Sequence, residues 1–598
     1  MKTLKAFGFG DCFTRWIKII LADRMSCVRN AGFISEPFKV ERGVRQGCPI
    51  SPLLFILTSE LFASYIRQNK DIKGILFPGS KRPIKIRHFA DDITLFLRNI
   101  IDFREILSKI KLFSIFSGLK INIKKSHAMT FNPYVVEGSF QEGIKFVNKI
   151  KILGIIFSNR EDPRFIEDNF ISKIASLKRV CCLWSRRYLS LLGKITILKS
   201  LGISLFIHII QSIGMPKEYI KKVNTICFNF LWGKAHSKSK TIERVKRRVM
   251  CNGYEEGGLR MINLEFFQMS FQIEWARKLL RDKHQDWMAP ALEALSAIGG
   301  KAALQSNVSS KRFKGIKLVR NTFWKEVLCI WLDYKLLHEQ VDNNTGTNIP
   351  LFNNENITYN KQTLFFSQCI SRNIIYVSDL LIEGSLITFN EFKLYLNTPN
   401  AFFMYKCLYN ALKKLQFVNN SEIVNLNVNV SDHNEEEEES SNNSRKVFYS
   451  QLNKAEIPNS CSYWSRKLET EFNPAYWMIA INCTSETRLR ILHWKIAMAI
   501  YPTAVILYKM KLKQNELCEK CGTRENLEHF FFHCKTLQKL WVQVSKYINK
   551  HTGSNIVLTW DKVILGCLNL KQLTQQKQKN NQFNYSHCQV INHKGKLW

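Results

Sequence analysis

The pattern of hydrophobic and polar positions changes along the chain and predicts two kinds of structure. Across residues 1–158, apolar segments alternate with turn signals such as Asn30–Gly32 and Pro78–Ser80, which indicates a mixture of helix and strand. Across residues 169–280, apolar residues recur at three- and four-residue steps among Arg and Lys, as in Trp184–Leu201. We therefore expect an α/β unit followed by a basic helical domain.

Three polar stretches interrupt this pattern. Residues 342–360 are rich in Asn, and residues 431–445 contain the acidic run Glu435–Glu439 followed by Ser and Asn. Segments of this composition bury too little apolar surface to offset the entropy lost on ordering, so both predict linkers or loops. The acidic run is best interpreted as a solvated loop. The alternative is that it competes with nucleic acid for a basic groove. Beyond Lys571 the Gln-, Asn- and Lys-rich tail predicts disorder.

Charge and cysteine content narrow the class of protein. The 87 Lys and Arg residues exceed the 49 Asp and Glu residues, and the resulting charge of +38 attracts polyanions. Nucleic acid is therefore the expected partner. Two segments combine aromatic residues, which can stack on bases, with cations, which can neutralise phosphates: His493–Lys495 and Tyr508–Lys511. The 17 scattered cysteines do not resemble a disulfide framework and indicate a reducing compartment, either nucleus or cytoplasm.

The sequence predicts no membrane association. A membrane-spanning helix needs roughly 20 apolar residues. The longest apolar candidate, Ile203–Ile213, is interrupted by His208 and Gln211. The N-terminal stretch Trp16–Leu21 is split by a charge and is not followed by a small-residue cleavage site, so we do not expect a signal peptide.

Two adjacent acids, Asp91 and Asp92, separate two apolar strand-like runs within Ile84–Leu97. This pattern predicts a hairpin with both carboxylates at its tip. Adjacent carboxylates repel each other, and a hard divalent cation with oxygen ligands is the usual compensation. An ordinary turn is the alternative, because Asp is common in turns.

A segment containing glycine and proline, Arg42–Phe55, lies upstream of the two acids. Gly43 and Gly47 let the backbone approach a nucleotide or template closely, and Pro49 and Pro52 favour a turn into a helix. Gln46 offers both a donor and an acceptor to a base or sugar. A tight turn before a helix explains the Gly and Pro residues but not the whole string.

Arg42–Phe55 and Phe89–Asp92 together resemble the reverse transcriptase signature of LINE-type (non-LTR) retrotransposons. The resemblance implies an RNA-directed DNA polymerase that performs two-metal nucleotidyl transfer, with Asp91 and Asp92 as catalytic ligands of Mg²⁺ or Mn²⁺. It implies an RNA template, a DNA primer and, in complete relatives, a deoxynucleotide as partners. The residues that it places near the nucleotide or template are Arg45, Gln46, Gly47, Phe89, Ala90, Lys124 and Lys125.

Further segments fit the same family in the same order. Ser117–Ser126 resembles the next palm motif, in which Lys124 or Lys125 faces phosphates, and Leu153–Ile155 resembles the primer-grip hairpin. The segments that resemble the thumb and the region beyond it are Leu189–Lys194, Phe228–Trp232 and Gly257–Leu259.

A second constellation, Cys518-x2-Cys521-x7-His529-x4-Cys534, has the spacing of four soft ligands around Zn²⁺. It predicts a zinc knuckle, and four unligated residues are the weaker alternative. His533 is a spare candidate for the fourth ligand. The LINE family ends in a Cys-Cys-His-Cys element at this place, which favours Cys534.

One part of the family's metal site is expected to be missing. The family places a further metal-binding aspartate on a strand ahead of the segment that matches Phe7–Phe13, and we expect that strand to precede Met1. Asp11 and Asp23 align in a helix after it and are interpreted as surface acids. The fingers and any N-terminal endonuclease are also expected to be missing, so the chain is interpreted as an N-terminally truncated fragment with little or no polymerase activity.

The expected fold class is α+β: a partial right-hand polymerase, with an antiparallel palm sheet and a helical thumb, followed by a mostly α-helical C-terminal region with a small zinc knuckle. The expected boundaries are 1–158 for the partial palm, 159–285 for the thumb and connection, 286–445 for a helical and linker region with disordered loops, 446–570 for the C-terminal helical region with the knuckle at about 515–541, and 571–598 for a disordered tail.

Two other functions compete with the polymerase. One is a non-catalytic RNA- or DNA-binding remnant of a transposable element, held to nucleic acid by its basic thumb and knuckle. The other is a group II intron maturase, which shares the palm motifs, and the C-terminal zinc spacing argues against it.

Overall fold

A computed structural model describes residues 2–40, 43, 47–131, 138–159, 164–233, 242–281, 285–338, 349–382, 385–414, 441–553 and 557–566. The chain divides into two compact units. Unit 1 comprises Met1–Asp168 and Asp282–Ser296, and unit 2 comprises Asn169–Arg281 and Ala297–Trp598. Both units mix helices with small sheets, which confirms the expected combination of α and β structure.

The N-terminal region of unit 1 alternates helices with short strands. Its helices are α1 (Lys2–Ala6), α2 (Asp11–Leu21), α3 (Ser51–Gln68) and α4 (Ile100–Ser117). Its strands are β1 (Met25–Ser26), β2 (Arg29–Asn30), β3 (Phe33–Ile34), β4 (Phe38–Lys39), β5 (Ile86–Phe89), β6 (Asp92–Leu95), β7 (His127–Ala128), β8 (Phe140–Gln141), β9 (Ile144–Phe146), β10 (Lys149–Ile152) and β11 (Ile155–Ser158).

These strands form separate small sheets, whereas the sequence predicted one antiparallel palm sheet. The pairs β1–β4, β2–β3, β5–β6 and β10–β11 are antiparallel two-stranded ladders. Strand β9 lies between β7, which runs parallel to it, and β8, which runs antiparallel. Tight turns and bends end each strand after a few residues, so among the residues with described structure no ladder extends into a larger sheet.

The core of unit 1 forms where α3 and α4 cover the β5–β6 hairpin. Phe62, Ala63 and Ile66 of α3 pack with Ile86 of β5 and Ile106 of α4, and all five are buried. Burial of each of the larger side chains contributes about 1.5–3 kcal/mol to stability, so this cluster fixes the base of the hairpin.

Unit 2 begins as a helical region, as the periodicity predicted. Between residues 164 and 338 the helices are α5 (Arg164–Ser185), α6 (Leu191–Ile197), α7 (Ser204–Ile213), α8 (Lys217–Trp232), α9 (Arg247–Cys251), α10 (Leu264–Leu280), α11 (Met288–Ala294, in unit 1), α12 (Lys301–Gln305) and α13 (Thr322–His338). The most extensive packing in this region is that of α10 against α13. Phe271 and Ile273 of α10 and Val327 and Leu328 of α13 are all buried.

One helix of unit 2 corrects the expectation that no apolar stretch reaches membrane-spanning length. Helices α6 and α7 are joined by a π-helical segment, and the resulting 23-residue helix, Leu191–Ile213, is long and apolar enough to cross a membrane by length and composition alone. His208 and Gln211 do not interrupt it, because both are compatible with helical geometry. Its side chains Leu198, Phe206 and Ile209 are buried within unit 2, as in a core helix of the same composition.

Residues 349–414 form a small α/β substructure. Its elements are β12 (Thr358–Tyr359), β13 (Gln362–Thr363), α14 (Ser367–Ser371), β14 (Leu381–Ile382), β15 (Ser385–Leu386), α15 (Phe389–Leu396) and α16 (Ala401–Leu412). Leu351, Ile357, Phe392 and Leu408 lie in its core.

The linker interpretation of residues 342–360 is therefore wrong from residue 349 onward, and the part before it lies outside the described residues. Asn353 is 1% exposed; its Oδ1 accepts from the Lys314 N–H at 2.7 Å and its Nδ2 donates to the Lys314 carbonyl at 3.0 Å. The Asn354 Nδ2 donates to the Pro350 carbonyl at 2.9 Å. These asparagines are buried because their amide groups find backbone partners, which composition does not reveal.

The C-terminal part of unit 2 is mostly helical. Its helices are α17 (Ser441–Leu452), α18 (Asn459–Leu468), α19 (Ala475–Asn482), α20 (Thr487–Ala497), α21 (Ala504–Lys509), α22 (Lys535–Thr552) and α23 (Trp560–Leu565). Helix α17 packs against α10, with Phe448 buried, so the predicted loop at residues 431–445 is wrong from Ser441 onward. The acidic run Glu435–Glu439 and the predicted disordered tail after Lys571 lie outside the described residues.

Candidate active site and metal centre

The two adjacent acids lie at the tip of the β5–β6 hairpin. Phe89 is paired with Asp92, and Ala90 and Asp91 form the two-residue connection between the strands. Ala90 has a φ of 51°, a left-handed conformation that a tight two-residue turn requires. Asp91 and Asp92 are both exposed, and Phe89 is 68% exposed beside them. The predicted hairpin is therefore present, with its carboxylates accessible from solvent.

Further down the hairpin, two side chains contact acids of unit 1. His88 Nε2 lies 3.3 Å from Glu60 Oε2, and Arg87 Nη2 donates to Asp286 Oδ2 at 2.7 Å. Neither acid belongs to the tip. Within the described part of the chain, no third His, Cys, Asp or Glu joins Asp91 and Asp92 in a group with metal-binding geometry.

The segment expected beside the nucleotide is described only in part. Arg45 and Gln46 lie outside the described residues. Gly47 has a φ of 83°, and a Cβ atom added there would meet nothing within 4 Å among the described residues. Helix α3 begins at Ser51 with Pro52 in its first turn, as the Pro residues predicted.

The next two predicted motifs lie on a short turn and on a hairpin, and only the hairpin was expected from the sequence. Lys124 and Lys125 are exposed on a 3₁₀ turn, Ile123–Lys125, whose start is capped by the Asn122 side chain. The β10–β11 hairpin turns through Leu153 and Gly154, whose φ values of 48° and 87° match a tight hairpin turn. Their contacts with phosphate or primer stay predictions.

The two acids near the N-terminus are surface residues. Asp11 is the first residue of α2 and pairs with Lys5 at 3.1 Å, while Asp23 pairs with Lys39 at 3.5 Å. All four side chains are largely exposed. Neither aspartate lies in a group with metal-binding geometry in the described chain.

Three cysteines and one histidine converge in the C-terminal region. The ligand atoms of Cys518, Cys521, His529 and Cys534 all lie within 4.8 Å of one another. Tetrahedral Zn²⁺ with Zn–S bonds of about 2.3 Å places its ligands about 3.8 Å apart, so the donor set and spacing are compatible with zinc. Cys534, and not the neighbouring His533, completes the group.

Local backbone structure explains how this group forms. Cys518 and Cys521 flank a tight turn in which the Gly522 N–H donates to the Cys518 carbonyl at 2.9 Å. His529 begins a short π-helical segment, and Cys534 immediately precedes α22. Cys518 and Cys534 also pack against Trp541, which ties the cluster to the hydrophobic core.

Thr523 is a member of this site that sequence reasoning missed. Its hydroxyl lies 3.1 Å from Cys521 Sγ and 3.2 Å from His529 Nδ1. The hydrogen bonds from Thr523 lower the pKa of the Cys521 thiol to about 7, whereas burial raises the pKa of the Cys518 thiol to about 11. The sequence shows a threonine two residues after Cys521, but threonine is not a zinc ligand, and the Cys–His spacing that predicts a zinc site does not include this position.

Comparisons with known proteins agree with this arrangement. Residues 1–157, which contain α3, the Asp91–Asp92 hairpin and the Leu153–Gly154 hairpin, match the family "Reverse transcriptase (RNA-dependent DNA polymerase)". The N-terminal region is therefore a reverse transcriptase domain. Several relatives are named as proteins of transposable elements, which agrees with the LINE-type, or non-LTR retrotransposon, resemblance of the motifs.

Three relatives illustrate the relationship. The chain is 24% identical over 292 residues to the "Transposon TX1 uncharacterized 149 kDa protein" of Xenopus laevis, covering 48% of this chain and 21% of that protein. It is 25% identical over 173 residues to the "Retrovirus-related Pol polyprotein from type-1 retrotransposable element R2" of Popillia japonica, covering 27% and 28% of the two chains. It is 28% identical over 123 residues to the corresponding type-2 element protein, R2DM, of Drosophila melanogaster, covering 21% and 11%. The chain thus spans at most 28% of the length of these relatives.

Proposed function

We propose that this chain is part of an RNA-directed DNA polymerase of a non-LTR retrotransposon and that it binds an RNA template and a DNA primer. The observation that carries the proposal is the solvent-exposed pair Asp91 and Asp92 at a two-residue hairpin turn within a matched reverse transcriptase domain. The charge of +38 supports polyanion binding. Unit 1 would contain the palm, and the first helices of unit 2 would form the thumb.

In this proposal the two aspartates at the hairpin tip, the two exposed lysines and Gly47 each have a separate role. Asp91 and Asp92 would hold Mg²⁺ or Mn²⁺, which when bound neutralises charge that develops on the transferred phosphoryl group. Lys124 and Lys125, exposed on their turn, would contact the phosphates of the nucleotide or template. The backbone at Gly47, which has no side chain, would let a nucleotide or template strand approach closely.

We also propose that the chain by itself has little or no polymerase activity. Two-metal transfer requires ions roughly 3.5–4 Å apart, held by carboxylates that converge from more than one strand. Asp91 and Asp92 share a single hairpin, and the described residues bring no third metal-ligating side chain to them. The same observation favours a second function, nucleic-acid binding without catalysis.

A primer-extension assay with the full chain, an RNA template, a DNA primer and Mg²⁺ or Mn²⁺ distinguishes these functions. We expect the wild type to extend the primer no more than the Asp91→Asn/Asp92→Asn variant does. Both proteins should bind the primer–template equally well, with an affinity that falls steeply with salt. Robust Mg²⁺-dependent extension lost in the double variant would contradict the proposed inactivity, and absence of salt-dependent binding would contradict nucleic-acid binding altogether.

For the second centre we propose Zn²⁺ bound by Cys518, Cys521, His529 and Cys534. Three thiolates and one imidazole are soft donors typical of a closed structural zinc site. Bound zinc would stabilise the turn at residues 518–523 and its connection to α22, because ligand binding and folding of a short segment are coupled.

A further inference from the structure

Unit 2 contains an open cleft of about 610 Å³, and the segments that resemble the thumb, Leu189–Lys194 and Phe228–Trp232, contribute part of its wall. Its volume lies within the range of roughly 300–1,000 Å³ typical of pockets that bind small ligands. Its wall is strongly basic and partly aromatic. The lining residues that matter here are Tyr188, Lys194, Trp232, Arg244, Arg488 and Lys495.

Three helices that are distant in sequence build this cleft. Lys194 lies on α6, Trp232 ends α8, and Arg488 and Lys495 lie on α20, which packs against α6. The Lys194 ammonium donates to the Phe230 and Leu231 carbonyls at the end of α8, at 2.9 and 3.1 Å. These bonds hold the ammonium at the wall of the cleft and leave one of its three protons for another acceptor.

The cations of the cleft have no acidic neighbour along the described part of its wall. No Asp or Glu is among the described residues that line it. Burial, with the charge of Lys495 nearby, lowers the pKa of Lys194, and burial, with the charge of Arg244 nearby, lowers the pKa of Lys495. The neighbouring Arg247, in contrast, forms a salt bridge with Glu243.

This clustering has a direct physical consequence. Partly desolvated like charges without counterions are unfavourable, and a bound anion relieves both the desolvation and the repulsion. The cleft is therefore suited to an anion that carries more than one negative charge.

The aromatic side chain at the rim narrows the class of anion. Tyr188 is 95% exposed, so its ring faces are free, and the Arg488 Nη2 lies 3.4 Å from the Tyr188 carbonyl. An exposed aromatic ring beside a basic groove is the usual means of binding single-stranded nucleic acid, through base stacking and phosphate contacts. By comparison, His493 and Trp494 are buried, so the base-stacking role predicted for His493–Lys495 is wrong for those two residues and only Lys495 reaches the cleft.

We propose that this cleft binds a short segment of single-stranded nucleic acid, with phosphates at Lys194, Arg244 and Lys495 and a base stacked on Tyr188. The inference rests on the proposed nucleic-acid function and adds a specific site within unit 2. The site is separate in sequence from the Asp91–Asp92 hairpin and contains no residue assigned to the polymerase metal site.

Fluorescence anisotropy with the full chain and a labelled single-stranded oligonucleotide of about 12 nucleotides tests the phosphate contacts. The test variant is Arg244→Gln/Lys495→Gln. The matched control is Lys393→Gln/Lys406→Gln, which removes the same charge from exposed positions of α15 and α16.

We expect the test variant to lose about tenfold or more in affinity and to reduce the slope of log K against log salt by about 1.4, because each single-strand phosphate contact contributes about 0.7. The control should leave both quantities nearly unchanged. Equal losses in the two variants would overturn the site while leaving general nucleic-acid binding intact. No binding by the wild type would instead contradict the proposed function itself.

Base stacking is tested separately at Tyr188, whose exposure makes substitutions compatible with folding. An oligonucleotide containing 2-aminopurine should be quenched on binding to the wild type and to Tyr188→Phe, because both retain an aromatic ring. Tyr188→Leu should relieve the quenching and weaken binding by about tenfold. Equal quenching in all three proteins would overturn the stacking contact.

Discussion

Phe89 and Asp92 are paired across the β5–β6 hairpin, with only Ala90 and Asp91 between them. This pairing sends both carboxylates to the end of the hairpin, while Ile86 at its base is buried against α3 and α4. The tip is therefore held by a packed base and is exposed at the end that carries both carboxylates. A short turn between two alternating strands is a local feature, which is why the sequence alone predicted it.

The zinc assignment predicts a stoichiometry and a choice between two adjacent residues. The purified chain should contain one zinc ion, and Cys534→Ser should lose most of it because one of four ligands is removed. His533→Ala should retain one zinc, because His533 lies outside the ligand group. Zinc content by plasma mass spectrometry, with hydrogen exchange of residues 515–541 as a measure of local order, checks both variants. Loss of zinc in His533→Ala with retention in Cys534→Ser would reverse the assignment.

The Gly257–Leu259 motif is explained by close packing of backbone. A Cβ atom at Gly258 would lie 2.2 Å from the Asn252 carbonyl oxygen, and Asn252 is itself buried. We expect Gly258→Ala to lower the free energy of unfolding by about 2–3 kcal/mol, because the backbone must shift to admit the methyl group. Gly253→Ala is the control, since its Cβ would meet carboxylate atoms of the Glu255 and Glu256 side chains and no backbone, and its effect should stay below about 1 kcal/mol. Urea denaturation measures both, and equal stabilities would contradict the steric explanation.

The clustering of cations in the unit 2 cleft predicts that Lys495, which is partly buried there, lowers stability in the absence of ligand. Lys495→Met keeps a side chain of similar length but removes the partly buried charge. It should therefore leave the free energy of unfolding unchanged or raise it by about 1 kcal/mol. Because burial lowers the pKa of Lys495, the unfolded chain binds the ammonium proton more tightly than the folded chain does. The folded protein therefore loses this proton first as the pH rises. Wild-type stability should then approach that of Lys495→Met as the pH nears the usual lysine value of 10.5. Thermal denaturation across this pH range checks the trend, and a gap that widens with pH would contradict it.

Features that depend on distant partners could not be predicted from the sequence. The two-residue hairpins at Asp91 and Gly154 and the Cys–His spacing are local patterns, and each has the expected form. Asn353, in contrast, is buried because of hydrogen bonds to Lys314, 39 residues away in the chain. The basic cleft likewise contains both Lys194 and Lys495. These residues are distant in sequence, and the packing of α6 against α20 brings them together.

Those distant contacts make Asn353 a sensitive position. Asn353→Ala should lower the free energy of unfolding by about 2 kcal/mol, because it removes two hydrogen bonds to the Lys314 backbone and places alanine at a φ of 50°. Asn356→Ala, at an exposed neighbour, should change it by less than about 0.5 kcal/mol. Similar stabilities of the two variants, measured by urea denaturation, would contradict the buried role of this asparagine.

The most direct test of the central claim is a Mn²⁺ titration of the full chain followed by electron paramagnetic resonance, with zinc supplied in slight excess. The hairpin tip should bind Mn²⁺ weakly, and Asp91→Asn/Asp92→Asn should abolish that binding. Asp11→Asn/Asp23→Asn, which removes two exposed aspartates elsewhere in unit 1, should bind Mn²⁺ as the wild type does. Equal Mn²⁺ binding by all three proteins would contradict the assignment of Asp91 and Asp92 as the metal-binding tip of a polymerase palm.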